Sequence, residues 1–182
     1  MSKRLGTLTA LLAGLVALAG CSASGAGSTG FGIGKNLFRK DTNLKLFLDG
    51  QEATQSKLKK GLTGYAAFKI NEPVSCSPKF KYEIIDPKKF GFIKHVNMQV
   101  HQKFEADFSD IPDYVITPID REHNMKPDVE YDLGALGPDF KILDRKDNTV
   151  DKVEFRPGVE YLLVFTVSAD KSESVQIFFT TK

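Results

Sequence analysis

The folded part of this chain is written in short apolar runs with a period near two. Leu44–Leu48, Thr63–Ile70, Phe80–Ile85, Phe90–Val100, Tyr114–Ile119, Val129–Leu133, Phe140–Leu143, Val153–Phe155, Val159–Val167 and Val175–Thr181 all carry the β-branched and aromatic bias of strands. Turn-forming pairs separate them, among them Asp49-Gly50, Glu72-Pro73, Asp86-Pro87, Gly137-Pro138 and Asp147-Asn148. Only Glu52–Lys60 has helix-forming composition, and its apolar content supports no more than a couple of turns. Many short strands without alternating helices predict an all-β, antiparallel sandwich with one short helix at most. In the last two runs, Val159, Tyr161, Leu163, Phe165 and Val167 fall on one face, as do Val175, Ile177 and Phe179, which predicts a closing hairpin. The opposite face carries Leu162, Val164 and Phe178, so part of that face is expected to be covered as well.

One pattern occurs twice. Residues 126–133 read KPDVEYDL and residues 156–163 read RPGVEYLL. Proline fixes φ and lacks a donor, so it suits the residue just ahead of a strand, and the tyrosine after it is expected to sit half in the core. The segment from Val153 to Thr181, with Arg156-Pro157-Gly158-Val159-Glu160-Tyr161 leading into a long strand, resembles the last two strands of fibronectin type III and related immunoglobulin-like domains. That resemblance implies an immunoglobulin-like sandwich in which Pro157 begins the corner and the hydroxyl of Tyr161 bonds back to nearby backbone. The chain departs from the family in having no tryptophan and a body longer than about 100 residues. The earlier copy is expected to start another strand by the same chemistry.

The N-terminus changes the picture of where such a sandwich works. Met1-Ser2-Lys3-Arg4 is a basic start, followed by an apolar run from Leu5 to Leu18 that is shorter than a membrane-spanning helix. The junction Leu18-Ala19-Gly20-Cys21 resembles the bacterial lipobox, which implies cleavage before Cys21 and acylation of that cysteine. Ser22, rather than aspartate, in the next position implies sorting to the outer membrane under enterobacterial rules. The expected organisation is a signal peptide over 1–20, a lipidated cysteine with a flexible Gly/Ser-rich linker over 21–34, and one β-sandwich domain over 35–182. With Cys21 lipidated, Cys76 has no disulfide partner and is expected to be a small buried apolar residue.

Candidate chemistry is sparse. Gly30-Phe31-Gly32-Ile33-Gly34-Lys35 fails as a phosphate loop, because Thr29 and Asn36 stand where glycine and Ser/Thr are required. The run 144–148 reads as a turn rather than a calcium loop, since Arg145 and Lys146 sit among its would-be ligands. His95, Met98, His101, His123 and Met125 gather imidazoles and thioethers in one stretch, the ligand types that suit copper(I). On a strand, however, Met98 points away from His95 and His101. No carboxylate pair or nucleophile–base spacing marks a catalytic site.

Charge adds one asymmetry. Residues 35–104 hold 14 basic and 6 acidic side chains, whereas 105–182 hold 9 and 17. Either strands of the two halves interleave and neutralise each other, or the body has two poles. In the two-pole case Lys57, Lys59, Lys60, Lys79, Lys81, Lys88 and Lys89 would meet anionic lipid head groups, and Asp107, Asp110, Asp113, Asp120, Asp128 and Asp132 would face a basic partner. The sequence thus favours a non-enzymatic, lipid-anchored binding or assembly module of the bacterial outer membrane and periplasm. It would need no cofactor, its partner would be a protein or envelope polymer, and nothing in it suggests nucleic acid. A periplasmic copper carrier and an unrecognised hydrolase are the alternatives.

Overall fold

The computed structural model describes residues 42–56, 65–105 and 107–182, all within one compact unit. The signal peptide, Cys21, the linker and Lys57, Lys59 and Lys60 lie outside the described residues. In chain order the strands are β1 (Leu44–Leu48), β2 (Gln51–Glu52), β3 (Thr54–Gln55), β4 (Ala66–Lys69), β5 (Lys79–Ile84), β6 (His95–Phe104), β7 (Asp107–Phe108), β8 (Tyr114–Pro118), β9 (Tyr131–Asp132), β10 (Phe140–Asp144), β11 (Thr149–Val150), β12 (Glu160–Ser168) and β13 (Glu173–Thr180). A single helical turn, α1 (Pro87–Phe90), is the helix among the described residues. The expected all-β sandwich is therefore the observed fold.

Its small sheet runs β2-β1-β5-β9 and its large sheet runs β11-β10-β8-β6-β12-β13-β4-β3, with β7 added beside β6. Among the described strands the ladders are antiparallel except β13 with β4, where Val175 stands opposite Ala66 in a parallel ladder, and an isolated parallel bridge joins Val74 to Thr181. Alternation places the core. In β1, Leu44, Leu46 and Leu48 point inward while Lys45 faces water. In β12, Tyr161, Leu163, Phe165 and Val167 point at the small sheet, and the Phe165 ring lies 4.9 Å from both Phe80 and Tyr82 of β5. Each such fully buried large side chain stabilises the fold by roughly 1.5–3 kcal/mol.

Several expectations need correction. The helix expected at Glu52–Lys60 is not seen in its described part, where Glu52 ends β2 and Thr54-Gln55 forms β3. The strand expected at Phe90–Val100 begins only at His95. Asp86 caps α1 by accepting from the Lys88 N–H at 3.2 Å, Pro87 occupies the first turn, and Phe90 plugs the core, so the chain is helical where the apolar count suggested a strand. Val153–Phe155 buries Val153 and Phe155 without joining a ladder. Cys76 is half-buried rather than buried, with its thiol 3.4 Å from the Lys182 carbonyl.

The repeated pattern builds the same corner twice. The Lys126 N–H donates to the Tyr131 hydroxyl and the Arg156 N–H donates to the Tyr161 hydroxyl, each at 2.8 Å and each spanning five residues. The residue after each proline turns left-handed, Asp128 at φ +65° and Gly158 at φ +71°. A proline followed by a positive-φ residue is the signature of a tight turn, and the tyrosine then bolts that turn to the strand it opens. We predict that Tyr161→Phe, which orphans a backbone donor beside the core, lowers unfolding free energy by about 1 kcal/mol. Tyr131→Phe should cost less, because Tyr131 is only half-buried and water reaches the Lys126 N–H. Denaturant midpoints of the two variants, compared with wild type, check the order.

Asp49 makes a second tie. Its carboxylate accepts from the Ser75 N–H at 2.6 Å and the Lys79 N–H at 2.8 Å, which pins the β1–β2 turn to the start of β5. Burial pushes its pKa up, yet those backbone donors outweigh burial and hold it below the ordinary 3.8. Because the folded value is depressed, the stability it contributes is present above pH 3.8 and is lost as pH falls through the folded value. The expected result is that Asp49→Asn shrinks the loss of melting temperature on acidification below that pH.

Candidate functional site

The most built feature of the surface lies on the outer face of the large sheet, at the end where β12 begins and β13 finishes. There β6 outruns its neighbour β8, which pairs with it only from Met98 to Val100. The chain turns at Glu105 with φ +52° and folds back as β7, with Phe108 opposite Lys103. This flap covers the apolar residues that β12 and β13 present outward. Phe108 packs its ring 5.5 Å from Phe178, in a cluster with Leu162 and Val164. The predicted cover of that face is thus real, and a two-residue strand supplies part of it.

Polar ties hold the flap. His101, on the outward face of β6, is 1% exposed, and its Nδ1 lies 2.8 Å from the Ser109 carbonyl. A carbonyl only accepts, so Nδ1 is the donor in this contact. The ring's Nε2 is buried and has no hydrogen-bond partner among the described residues. The Arg145 guanidinium donates to the Ser109 hydroxyl at 2.8 Å, and the Asp113 carboxylate accepts from the Gln102 N–H at 2.6 Å.

Between the flap and the last strand pair lies a cleft of about 260 Å³. Ile70, Phe108 and Phe178 form its apolar floor, and Lys69, Lys103 and Glu160 ring it with both signs of charge. Lys103 and Glu160 are ion-paired across the β6–β12 ladder. The cleft is smaller than an ordinary small-molecule pocket of about 300–1,000 Å³. Aromatic surface with a mixed charged rim suits a side chain or short segment of a partner, gripped by stacking and by exchange of ion pairs.

The five His and Met residues read from the sequence do not converge. Met98 is 0% exposed in the inner core and Met125 is buried, its carbonyl accepting from the Tyr82 hydroxyl at 2.7 Å. His95 and His101 lie on the opposite face of β6 from Met98, with His95 at the far end of the strand. His123 is tied at 2.7 Å to Asp120, whose carboxylate raises the imidazole pKa. No group of three metal-ligating His, Cys, Asp or Glu side chains occurs among the described residues. Pro157 and Tyr161 form the corner described above, at the cleft end of β12.

The charged halves interleave. β6 lies between β8 and β12, β4 lies beside β13, and the pairs Lys79–Glu130, Lys94–Asp170 and Lys103–Glu160 join one half to the other. Lys79 opens β5 and Lys88 lies past its other end, so the described lysines named from the sequence do not form one patch. No protein-family model matches the chain, and no curated protein or solved structure matches it.

Sequence reasoning named His101 only among the residues of the copper alternative and missed Phe108, Lys103 and Lys69. The available clue was the outward Leu162, Val164 and Phe178, which demanded a cover without saying which segment provides it. We expect Phe108→Ala to cost about 1 kcal/mol, since the ring is only partly buried. It should also speed amide hydrogen exchange across residues 107–113 while leaving β1 and β5 protected, a pattern readable by mass spectrometry.

Proposed function

We propose that this protein is a non-enzymatic binding or assembly module of the bacterial envelope, held to the outer membrane by lipid on Cys21. The N-terminal sequence supports the anchor, through its basic start, its short apolar run and the Leu-Ala-Gly-Cys junction. The observation that carries the reading is where the chain joins the body. The Thr42 hydroxyl and the Asn43 N–H both donate to the Glu173 carboxylate, at 2.7 and 2.9 Å, at the start of β13. The cleft lies at the other end of the same strand, against Thr180. Seven steps along β13 separate the two by about 23 Å. A body tethered at its Thr42 end presents the cleft away from the bilayer, where an envelope protein or polymer can reach it.

Labelled palmitate should enter the wild-type protein and not Cys21→Ala, and the variant should move from the membrane pellet to the soluble fraction. Failure of the wild type to incorporate label would remove the anchor. In cells, a photo-crosslinking amino acid at position 108 should give discrete adducts with an envelope component, and Lys103→Glu in the same chain should weaken them.

A further inference from the structure

The end of the body where the described chain begins carries a surface that the cleft reading does not use. Segment 85–94, Ile85-Asp86-Pro87-Lys88-Lys89-Phe90-Gly91-Phe92-Ile93-Lys94, passes that end beside Asn43. Two of its apolar residues point into water, Ile85 at 58% and Phe92 at 71% exposure. Single exposed apolar side chains are ordinary. These two are held out by a braced loop. Asp86 and Asn43 exchange two hydrogen bonds of 2.8 Å, Phe90 is sunk in the core, and the Lys94 N–H donates to the Ser168 carbonyl at 2.7 Å. Gly91, at φ +77°, packs so closely on Asp170 that a Cβ there would collide with its carboxylate. The loop therefore cannot fold Phe92 inward without breaking its own ties.

We propose that this segment is a membrane-docking rim. Phe92 and Ile85 enter the interface of an anionic bilayer, and Lys88, Lys89 and Lys94 meet the lipid phosphates. The proposal deepens the anchored reading above and rests on it for the source of the bilayer. Exposed aromatic and aliphatic tips flanked by lysines are the composition of interfacial anchors, with each lysine near an anionic surface strengthening attachment about fivefold. The acidic groups at this end are engaged. Asp86 pairs with Lys89 and Asp170 with Lys94, each at 3.3 Å, and Glu173 holds Thr42 and Asn43. Those lysines are 76% and 53% exposed, so their pairs are weak and can be exchanged for phosphates. Exposed Phe104 and Ile111, near the flap, make the contrast. Their neighbours are Glu105, Asp107 and Asp110, which an anionic surface repels.

Geometry fits the tether. The 22 residues from Cys21 to Thr42 span at most about 75 Å, and an anchor at one end keeps the rim at high effective concentration beside the lipid, so weak docking suffices.

The chain contains no tryptophan, which allows a clean probe. Among the described residues the buried apolar core runs from Leu44 to Phe179, so residues 21–182 carrying Cys21→Ser retain all of it. In that background Phe92→Trp should shift its emission to the blue on vesicles containing anionic phosphatidylglycerol, and Phe104→Trp should not. Flotation should show about tenfold stronger partition onto anionic than onto neutral phosphatidylcholine vesicles at low salt. High salt, or Lys88→Glu with Lys89→Glu, should abolish that preference, and Ile85→Ser with Phe92→Ser should remove binding. No partition, equal partition onto both vesicle types, or rim variants that bind like the parent would overturn the rim. Because this protein lacks the acyl chain, its failure would leave palmitate labelling intact, and failure of the label would leave the vesicle result intact.

Discussion

Everything in this fold hangs on β12, a strand that has to be buried on both faces. Between Tyr161 and Phe165 no residue is more than 4% exposed. The ladders to β6 and β13 each run eight residues, so the backbone of β12 is paired on both edges. Inward, its alternate side chains meet Phe80 and Tyr82 of the small sheet and define the sandwich. Outward, Leu162 and Val164 cannot be left in water without losing part of that stabilisation. The chain meets this second demand with β7. A strand of two residues has no stability alone, and here it exists because Phe108 finds Phe178 and because His101 and Arg145 hold Ser109 in place. The cleft is a by-product of that cover, being the gap between a small lid and the long sheet beneath it.

The twin corners show how local chemistry and tertiary demand divide the work. Both copies of the pattern give the same turn and the same tyrosine-to-backbone bond. Beyond the tyrosines the two copies diverge. After Tyr161 the chain continues Leu162, Leu163, Val164 and Phe165, and the strand runs nine residues. After Tyr131 comes Asp132, whose carboxylate binds the Ser77 hydroxyl and also accepts from the Gly134 N–H at 3.0 Å, so the chain turns after two residues. Asp128 takes the left-handed position that Gly158 holds in the other copy, which aspartate tolerates better than most residues. The repeat is thus a device for starting a strand, and the residues downstream of the tyrosine decide how long that strand runs.

The sandwich was legible because alternation is a property of neighbouring residues. Leu44–Leu48 is a strand with the expected ends, and the runs leading to β8, β10, β12 and β13 differ from the observed strands by at most two residues at either end. Illegible were features set by contacts distant in sequence. β2, β3, β7 and β11 are two residues each, too short to show a period. Phe90 has the burial of a strand residue and the conformation of a helical one, and Asp86 and Pro87 decide between the two. The cleft was hidden because Phe108 and Phe178 are seventy residues apart and only the fold brings their rings together. The histidine–methionine stretch shows the converse. Residues close in sequence are sorted by β6 onto opposite faces, which sends Met98 to the core and His101 beneath the flap.

Interleaving of the two charged halves is itself informative. Pairing β6 with β12 sets Lys103 beside Glu160, Lys79–Glu130 and Lys94–Asp170 also join the two halves, and such surface pairs are each worth less than about 1 kcal/mol. Net charge is therefore averaged out over the sheets, and the charge that survives is local. At the Thr42 end, a run of lysines sits around Phe92, on a loop whose acids are already engaged with the protein's own donors. At the other end, Glu105, Asp107, Asp110 and Asp113 crowd the flap. An exposed apolar side chain takes its meaning from such neighbours. Phe92 and Phe104 are both exposed and share one chemistry, but a lysine-bearing loop lowers the free energy of approach to an anionic surface and an acidic hairpin raises it. Which end of this body an anionic surface attracts thus depends on two loops at its ends, and most of the described charged side chains likewise stand outside the strands.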